Sequence, residues 1–162
     1  MSFDAFIKIQ GVEGESLDSS HKNEIEVLSF SWGATQSGTS SYGSGAGAGR
    51  ADVHNFSFVK KIDKASPLLF MKLCQGEHIP EATFVVRKAG GEQLEYLEYK
   101  FTDVLVSSVR PGGSANGGDE IPLEEVSIDF GKVNIKYQPQ GKDGKAQGGP
   151  VLASWNLKEN VK

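Results

Sequence analysis

Two long stretches of alternating apolar and polar residues reverse their phase partway, and this feature constrains the fold most. Strict alternation predicts a strand with one buried face. Ile25 and Val27 share one phase. Leu28 and Phe30, which follow without a break, take the other phase. A one-residue shift inside a continuous run is what a β-bulge or a sharp bend produces.

The second reversal surrounds Gly131. Val126 and Ile128 alternate on one phase before the glycine, and Val133 and Ile135 alternate on the other phase after it. Two long strands that change face midway favour a strongly coiled sheet that closes on itself. The pattern therefore predicts an all-β barrel or a tight sandwich.

Most of the remaining apolar residues fall into further strand-like runs, namely Phe56–Ile62, Ala82–Lys88, Leu94–Val109 and Val151–Lys158. Residues 66–76 break the alternation and predict the one substantial helix. Ser66 suits the N-cap, Pro67 the first helical position and Gly76 the residue after the last turn. Apolar residues nearly surround this helix, so we expect it to be mostly buried, with Cys74 as a small buried hydrophobic residue.

Residues 37–49 consist largely of glycine and serine, with Tyr42 near the centre. Such a segment cannot pack a core of its own. A long loop of this kind inside a compact domain is usually functional or mobile. Because the sequence shows no internal repeat, we expect a single domain over residues 1–162, with an extended glycine-rich loop at about residues 37–50.

The charge and the cysteine content exclude several functions. The formal net charge of −4 does not favour binding to nucleic acid or insertion into an anionic membrane. Cys74 is the only cysteine, which rules out a disulfide within the chain. The first ten residues lack a positive segment followed by an apolar one, so we expect a cytoplasmic protein without a cleavable signal peptide.

The sequence also lacks the spacings that active sites need. The three histidines, His21, His54 and His78, are scattered rather than placed three or four residues apart. The glycines at residues 43–49, which alternate with serine or alanine, do not match the G-x-G-x-x-G spacing of a nucleotide-binding loop. The acidic pairs at residues 119–120 and 124–125 fit a solvated loop better than a hydrolytic pair. We therefore expect no enzyme activity, no cofactor and no metal site.

The order of the motifs resembles one family. The chain begins with DAFIKI at residues 4–9 and continues with IEVLSFSWG at residues 25–33. FSFVKKIDKASP follows at residues 56–67, FVVRKAGG at residues 84–91 and VSIDFGKVNIKYQPQ at residues 126–140. This series, from about Phe3 to Leu157, resembles the Hcp (haemolysin-coregulated protein) family.

The resemblance implies a fold, an assembly and a function. The fold would be all-β dominated, with two sheets forming a small closed barrel and one short helix on the side, as in phage tail-tube proteins. The assembly would be a hexameric ring, stacked into the inner tube of the bacterial type VI secretion system. Its partners would be the tip (spike) protein and the sheath of the apparatus. The tube would be exported on firing and would carry and protect effector proteins in the ring lumen.

The resemblance also suggests site residues. Ser29 and Ser31 leave one face of their strand small and polar, so they are candidates for facing the lumen and its cargo. The glycine-rich segment resembles a loop used for contacts within or between rings, and its candidate residues are Gly38, Tyr42, Gly45, Gly47 and Gly49.

A monomeric ligand- or carbohydrate-binding β-sandwich is the alternative, since such modules share short strands and glycine-rich loops. A module of that kind would present an aromatic platform on an exposed face. Trp32 and Trp155 instead alternate in phase with apolar neighbours, which predicts their burial.

Overall fold

The computed structural model describes residues 2–36, 50–118 and 120–162. These residues form ten strands and one helix. The elements in chain order are β1 (Phe3–Ile9), β2 (Ile25–Val27), β3 (Ser29–Ser31), β4 (Ala34–Thr35), β5 (Asp52–Val53), β6 (Phe56–Lys61), α1 (Ala65–Gln75), β7 (Ile79–Lys88), β8 (Glu95–Gly112), β9 (Leu123–Tyr137) and β10 (Val151–Asn156).

Eight of the strands form one antiparallel sheet that nearly closes into a barrel. Seven of them follow the order β2-β1-β7-β8-β9-β6-β3, and β10 pairs with the second half of β9. The two ends of this order, β2 and β3, are separated in the sequence by Leu28 alone. The Leu28 N–H donates to the carbonyl of Val59 at 2.8 Å, which draws the ends together. The predicted all-β barrel is confirmed, and the first phase reversal marks its closure.

The second reversal is a bend shared by β8 and β9. Thr102 pairs with Lys132 and Val104 with Phe130, so the register does not change across the bend. Asp103 between them has a φ of 57°, a left-handed conformation that is uncommon outside glycine. A Cβ added to the facing Gly131 would lie 3.3 Å from Asp103 Oδ2, and glycine avoids this crowding.

Aromatic rings fill the barrel. The ring centroids of Phe56 and Phe84 are 4.9 Å apart, and those of Phe101 and Phe130 are 4.6 Å apart. All four rings are at least 95% buried. Tilted aromatic pairs at these separations stabilise a core beyond the burial of their area. The halves of β9 before and after Gly131 both contribute to this core, because the bend lets the apolar side chains of each half point inward.

The helix begins two residues earlier than predicted, at Ala65 rather than Pro67, and its first turn is capped by another side chain. Asp63 Oδ1 accepts the N–H of Ala65 at 2.9 Å, and Ser66 Oγ accepts the N–H of Asp63 at 3.1 Å. Ser66 therefore lies in the first turn as the second half of a reciprocal cap. At the other end Gly76 has a φ of 59°, as predicted for the residue that ends a helix.

The predicted burial of the helix was wrong. Leu69 is fully buried, but Leu68, Phe70 and Met71 are 45–55% exposed, and Cys74 is also exposed. The helix lies on the outside of the barrel, so only one of its faces meets the sheet. The sequence places more apolar residues on the helix than that one face can bury. No helix among the described residues is long and apolar enough to span a membrane.

Candidate assembly surface

A row of serines crosses four neighbouring strands on the face opposite the core. Ser31 on β3 pairs with Ser57 on β6, which pairs with Ser127 on β9, which pairs with Ser108 on β8. The hydroxyl oxygens of Ser57 and Ser127 are 2.7 Å apart. The alternation of these strands sends phenylalanine, valine and isoleucine inward, which leaves the short hydroxyl side chains outside.

Ser29 lies in the next row of the same face. Its partner is Val59, and the row continues through Glu125 to Arg110. Ser29 and Ser31 are both exposed. We call Ser29, Ser31, Ser57, Ser108 and Ser127 together the serine face. The structure thus places both predicted serines on one small, polar surface that spans four strands.

The other predicted contact residues, Gly38, Tyr42, Gly45, Gly47 and Gly49, lie outside the described residues. The residues that flank their segment pair with each other. Ala34 pairs with Val53 and Thr35 with Asp52, so β4 and β5 form a short two-stranded ribbon.

A buried ionic cluster, which sequence reasoning missed, joins the barrel to the helix. Lys60 is fully buried, and its Nζ lies 2.9 Å from each of Asp63 Oδ1, Ser66 Oγ and Glu124 Oε1. The contact with Glu124 is ionic rather than an aligned hydrogen bond. Glu124 is 3% exposed, so its predicted place on a solvated loop was wrong. The available signal was its phase, since Lys60 and Glu124 occupy inward positions of β6 and β9.

A second ionic cluster fixes the long loop between β1 and β2. The nearly buried Arg87 donates to Asp18 Oδ1 at 2.6 Å and to Asp4 Oδ2 at 3.2 Å. The hydrogen bond from Arg87 lowers the pKa of Asp18 to about 2. The guanidinium lies 5.0 Å from the ring centroid of Phe6, and His21 stacks on the same ring at 4.4 Å.

His21 completes the attachment of this loop. Its Nδ1 lies 3.0 Å from Glu24, and its Nε2 lies 2.7 Å from Glu95 at the start of β8. The loop therefore lies against the sheet through side chains of β1, β7 and β8. At its tip Leu17 is 92% exposed.

Strand β10 presents an apolar edge. It pairs with β9, and within the described part of the chain its other edge has no strand partner. Val151 and Leu152 are 63% and 69% exposed. A groove of about 620 Å³ runs between the outer faces of β8, β9 and β10, lined among others by Lys100, Lys136, Leu152, Trp155 and Lys162.

The two tryptophans do not form an exposed platform. Trp32 is half-buried, its ring packs against Tyr99, Phe101 and Phe130, and its Nε1 donates to the carbonyl of His54 at 2.9 Å. Trp155 is also half-buried. Within residues 2–36, 50–118 and 120–162, no three His, Cys, Asp or Glu residues are grouped to hold a metal ion.

Comparisons with known proteins agree along the whole chain. The family model described as type VI secretion system effector, Hcp, matches residues 6–137. Protein hcp1 of Pseudomonas aeruginosa is 49% identical over 162 residues, covering 99% of both chains. The crystal structure of Hcp1 from Salmonella typhimurium is 43% identical, covers 99% of both chains and has a TM-score of 0.82. A type VI secretion system effector from Yersinia pestis is 40% identical, with a TM-score of 0.77 and coverage of 94% of this chain and 99% of that one.

Proposed function

The chain belongs to the Hcp family of type VI secretion proteins, and on that premise we propose that it forms hexameric rings which stack into the inner tube of the secretion apparatus. The family consists of structural secretion proteins rather than known enzymes. The observation that carries the proposal is the similarity over 99% of both chains, because a shared fold alone would not fix a function.

The free edge and apolar side chains of β10 support self-assembly. An exposed strand edge with apolar residues is a hazard in a monomer, which natural proteins usually cover. Val151 and Leu152 together form such a surface. In a closed ring, each copy covers the exposed surface of the next.

The serine face is the surface we assign to the lumen. Its side chains are short and polar, so a ring that turns this face inward has a channel wall without bulky projections. Ser29 and Ser31, the more exposed members, would contact effector proteins carried and protected inside the ring. The charged row of Glu125 and Arg110 beside them would add polar contacts.

The glycine-rich segment is assigned to contacts within or between rings, through Gly38, Tyr42, Gly45, Gly47 and Gly49. Glycine permits close approach of one backbone to another. In this proposal the protein resides in the cytoplasm until firing, and the tip protein and the sheath are its other partners. It is then exported to the extracellular space or a target cell.

The test is the mass of the purified protein at micromolar concentration, measured by size-exclusion chromatography with light scattering. We expect a species of six times the mass of one chain. A monomer at every concentration up to the millimolar range would overturn ring formation by the protein alone. Electron microscopy of the six-subunit species would then show whether the rings have an open centre and stack.

A further inference from the structure

The loop of the β8–β9 hairpin enters β9 through a segment, residues 120–123, that is both apolar and acidic. Ile121 and Leu123 are 44% and 37% exposed, and Glu120 is exposed beside them. This segment is braced at its base, since the Ile62 N–H donates to the carbonyl of Pro122 at 3.0 Å. We call residues 120–123 the hairpin tip. It presents two apolar side chains and a carboxylate from a supported position.

The groove at the other end of the same strand pair has the complementary character. Lys100, Lys136 and Lys162 line it together with a single acidic residue, Glu98. Its apolar part includes Leu152, which is 69% exposed, and Trp155. We call this surface the lysine groove.

The tip and the groove cannot meet within one chain. Thirteen residue steps of β9 separate Leu123 from Lys136, a length along the bent strand of roughly 40 Å at about 3.3 Å per residue, and pairing with β8 along this length keeps the two ends apart. A contact between them must therefore join two copies. Two different patches that meet in this way make a head-to-tail interface, which generates a closed ring or an open filament.

We propose that the hairpin tip of one copy docks in the lysine groove of the next copy. Ile121 and Leu123 cover Leu152 on the outer face of β10, while Glu120 faces Lys136 and Lys162, since Lys100 already lies 3.5 Å from Glu81. The apolar contact supplies most of the affinity, because exposed ion pairs contribute little, and the opposite charges set the orientation. This inference rests on the proposed assembly and deepens it by naming the two surfaces that meet.

Disulfide cross-linking tests the contact directly. In a Cys74→Ser background, Ile121→Cys and Leu152→Cys are combined in one chain, and the protein is oxidised mildly. We expect a ladder of covalent species on a non-reducing gel, because each copy links to the next. A mixture of the two single-cysteine proteins should yield heterodimers in excess of either homodimer.

The matched control replaces Ile121→Cys with Gln75→Cys, keeping Leu152→Cys. Gln75 is exposed at the C-terminal end of the helix, so its cysteine is accessible, and it is not among the residues that line the cavity beside Ile121. An equal ladder from the control would overturn the proposal. So would the absence of a ladder from the Ile121 variant when light scattering shows the oligomer intact, and that result would leave the proposed ring unaffected.

Charge reversal gives a second measurement that does not need disulfide geometry. Glu120→Lys and Lys136→Glu should each raise the concentration at which the oligomer dissociates by about two- to fivefold, as expected for exposed charges. The double variant should restore most of the affinity between copies. If the two losses of affinity add in the double variant, with circular dichroism unchanged, the assigned pairing is overturned. A protein that is monomeric before any substitution would instead refute the proposed function, and this contact with it.

Discussion

Lys60 is the residue whose environment differs most from what its chemistry favours. A fully buried ammonium is costly unless it is paired, and the partners of Lys60 come from the link between β6 and α1, from β9 and from the first turn of α1. The cluster thereby fixes the helix to the barrel through Asp63 and Ser66.

Replacing Lys60→Met should lower the free energy of unfolding by about 3 kcal/mol, because it leaves the Glu124 carboxylate buried without its cation. The double variant Lys60→Met/Glu124→Leu should recover most of that loss. Urea unfolding followed by circular dichroism measures both. A double variant as unstable as the single one would show that the lysine's packing, rather than its charge, is what the barrel needs.

Asp18 gives a pH-dependent contribution with a defined sign. Its pKa falls from 3.8 to about 2 in the folded protein, chiefly through the hydrogen bond from Arg87. A lowered folded-state pKa stabilises the protein above the unfolded value, and the stabilisation is lost as the pH falls from about 4 toward 2. Asp18→Asn should therefore be less stable than the parent at pH 7, and the difference should shrink toward pH 2.

Urea midpoints of both proteins at pH 7, 4, 3 and 2 measure this difference. Glu159→Gln controls for the loss of one negative charge from an exposed position. A gap between Asp18→Asn and the parent that stays constant down to pH 2 would contradict the assigned ion pair.

The helix packs on the outside of the barrel and is not part of its interior. Only Ala65, Ser66 and Leu69 of the helix are buried. The outward residues therefore do little for the stability of an isolated chain. Their apolar character remains available for contacts of the assembled protein.

Substitutions on the two faces of the helix should differ sharply in effect. Leu69→Ala should cost about 2–5 kcal/mol, since the side chain is fully buried. Phe70→Ser should change the free energy of unfolding by less than about 0.5 kcal/mol, since more than half of the side chain is already in solvent. Chemical unfolding of dilute, monomeric protein measures both, and similar losses would show that the helix packs on two sides.

The strands were predictable because their alternation is a local property of the sequence. Both phase reversals correspond to real changes of direction, at Leu28 and at Gly131. The burial of α1 was not predictable, because the number of apolar residues does not say how many helix faces meet a partner. The Lys60 and Glu124 pair required knowing that β6 and β9 are neighbours 64 residues apart, which alternation does not reveal.

The inward-facing and outward-facing residues of the strands have different roles in the sheet. The inward phase carries the aromatic core, and the outward phase carries the serine face. A substitution in the outward phase should therefore alter what the protein binds without altering its fold. The same separation predicted from the sequence that Ser29 and Ser31 share a small, polar face, although the row from Ser31 through Ser57 to Ser127 appears only in the structure.

Ser31→Arg tests the lumen assignment. A long cation on the serine face should leave the unfolding midpoint and the six-subunit mass unchanged, while it reduces recovery of co-expressed effector proteins by about tenfold, as loss of a central contact does. Gln75→Arg, on the exposed end of the helix, is the matched control and should not reduce recovery. Equal recovery with both variants would place cargo binding elsewhere.

The closure of the barrel at Leu28 also determines where it opens. β2 and β3 are three residues each, whereas β8 and β9 are 18 and 15 residues long. Short ladders open at a lower free energy than long ones, so the amide hydrogens around this seam should exchange with solvent before those of the long hairpin. Ser29 and Ser31 lie on the seam. The residues assigned to cargo thus belong to a part of the barrel that opens at low free energy. An occupied lumen would therefore slow amide hydrogen exchange there first.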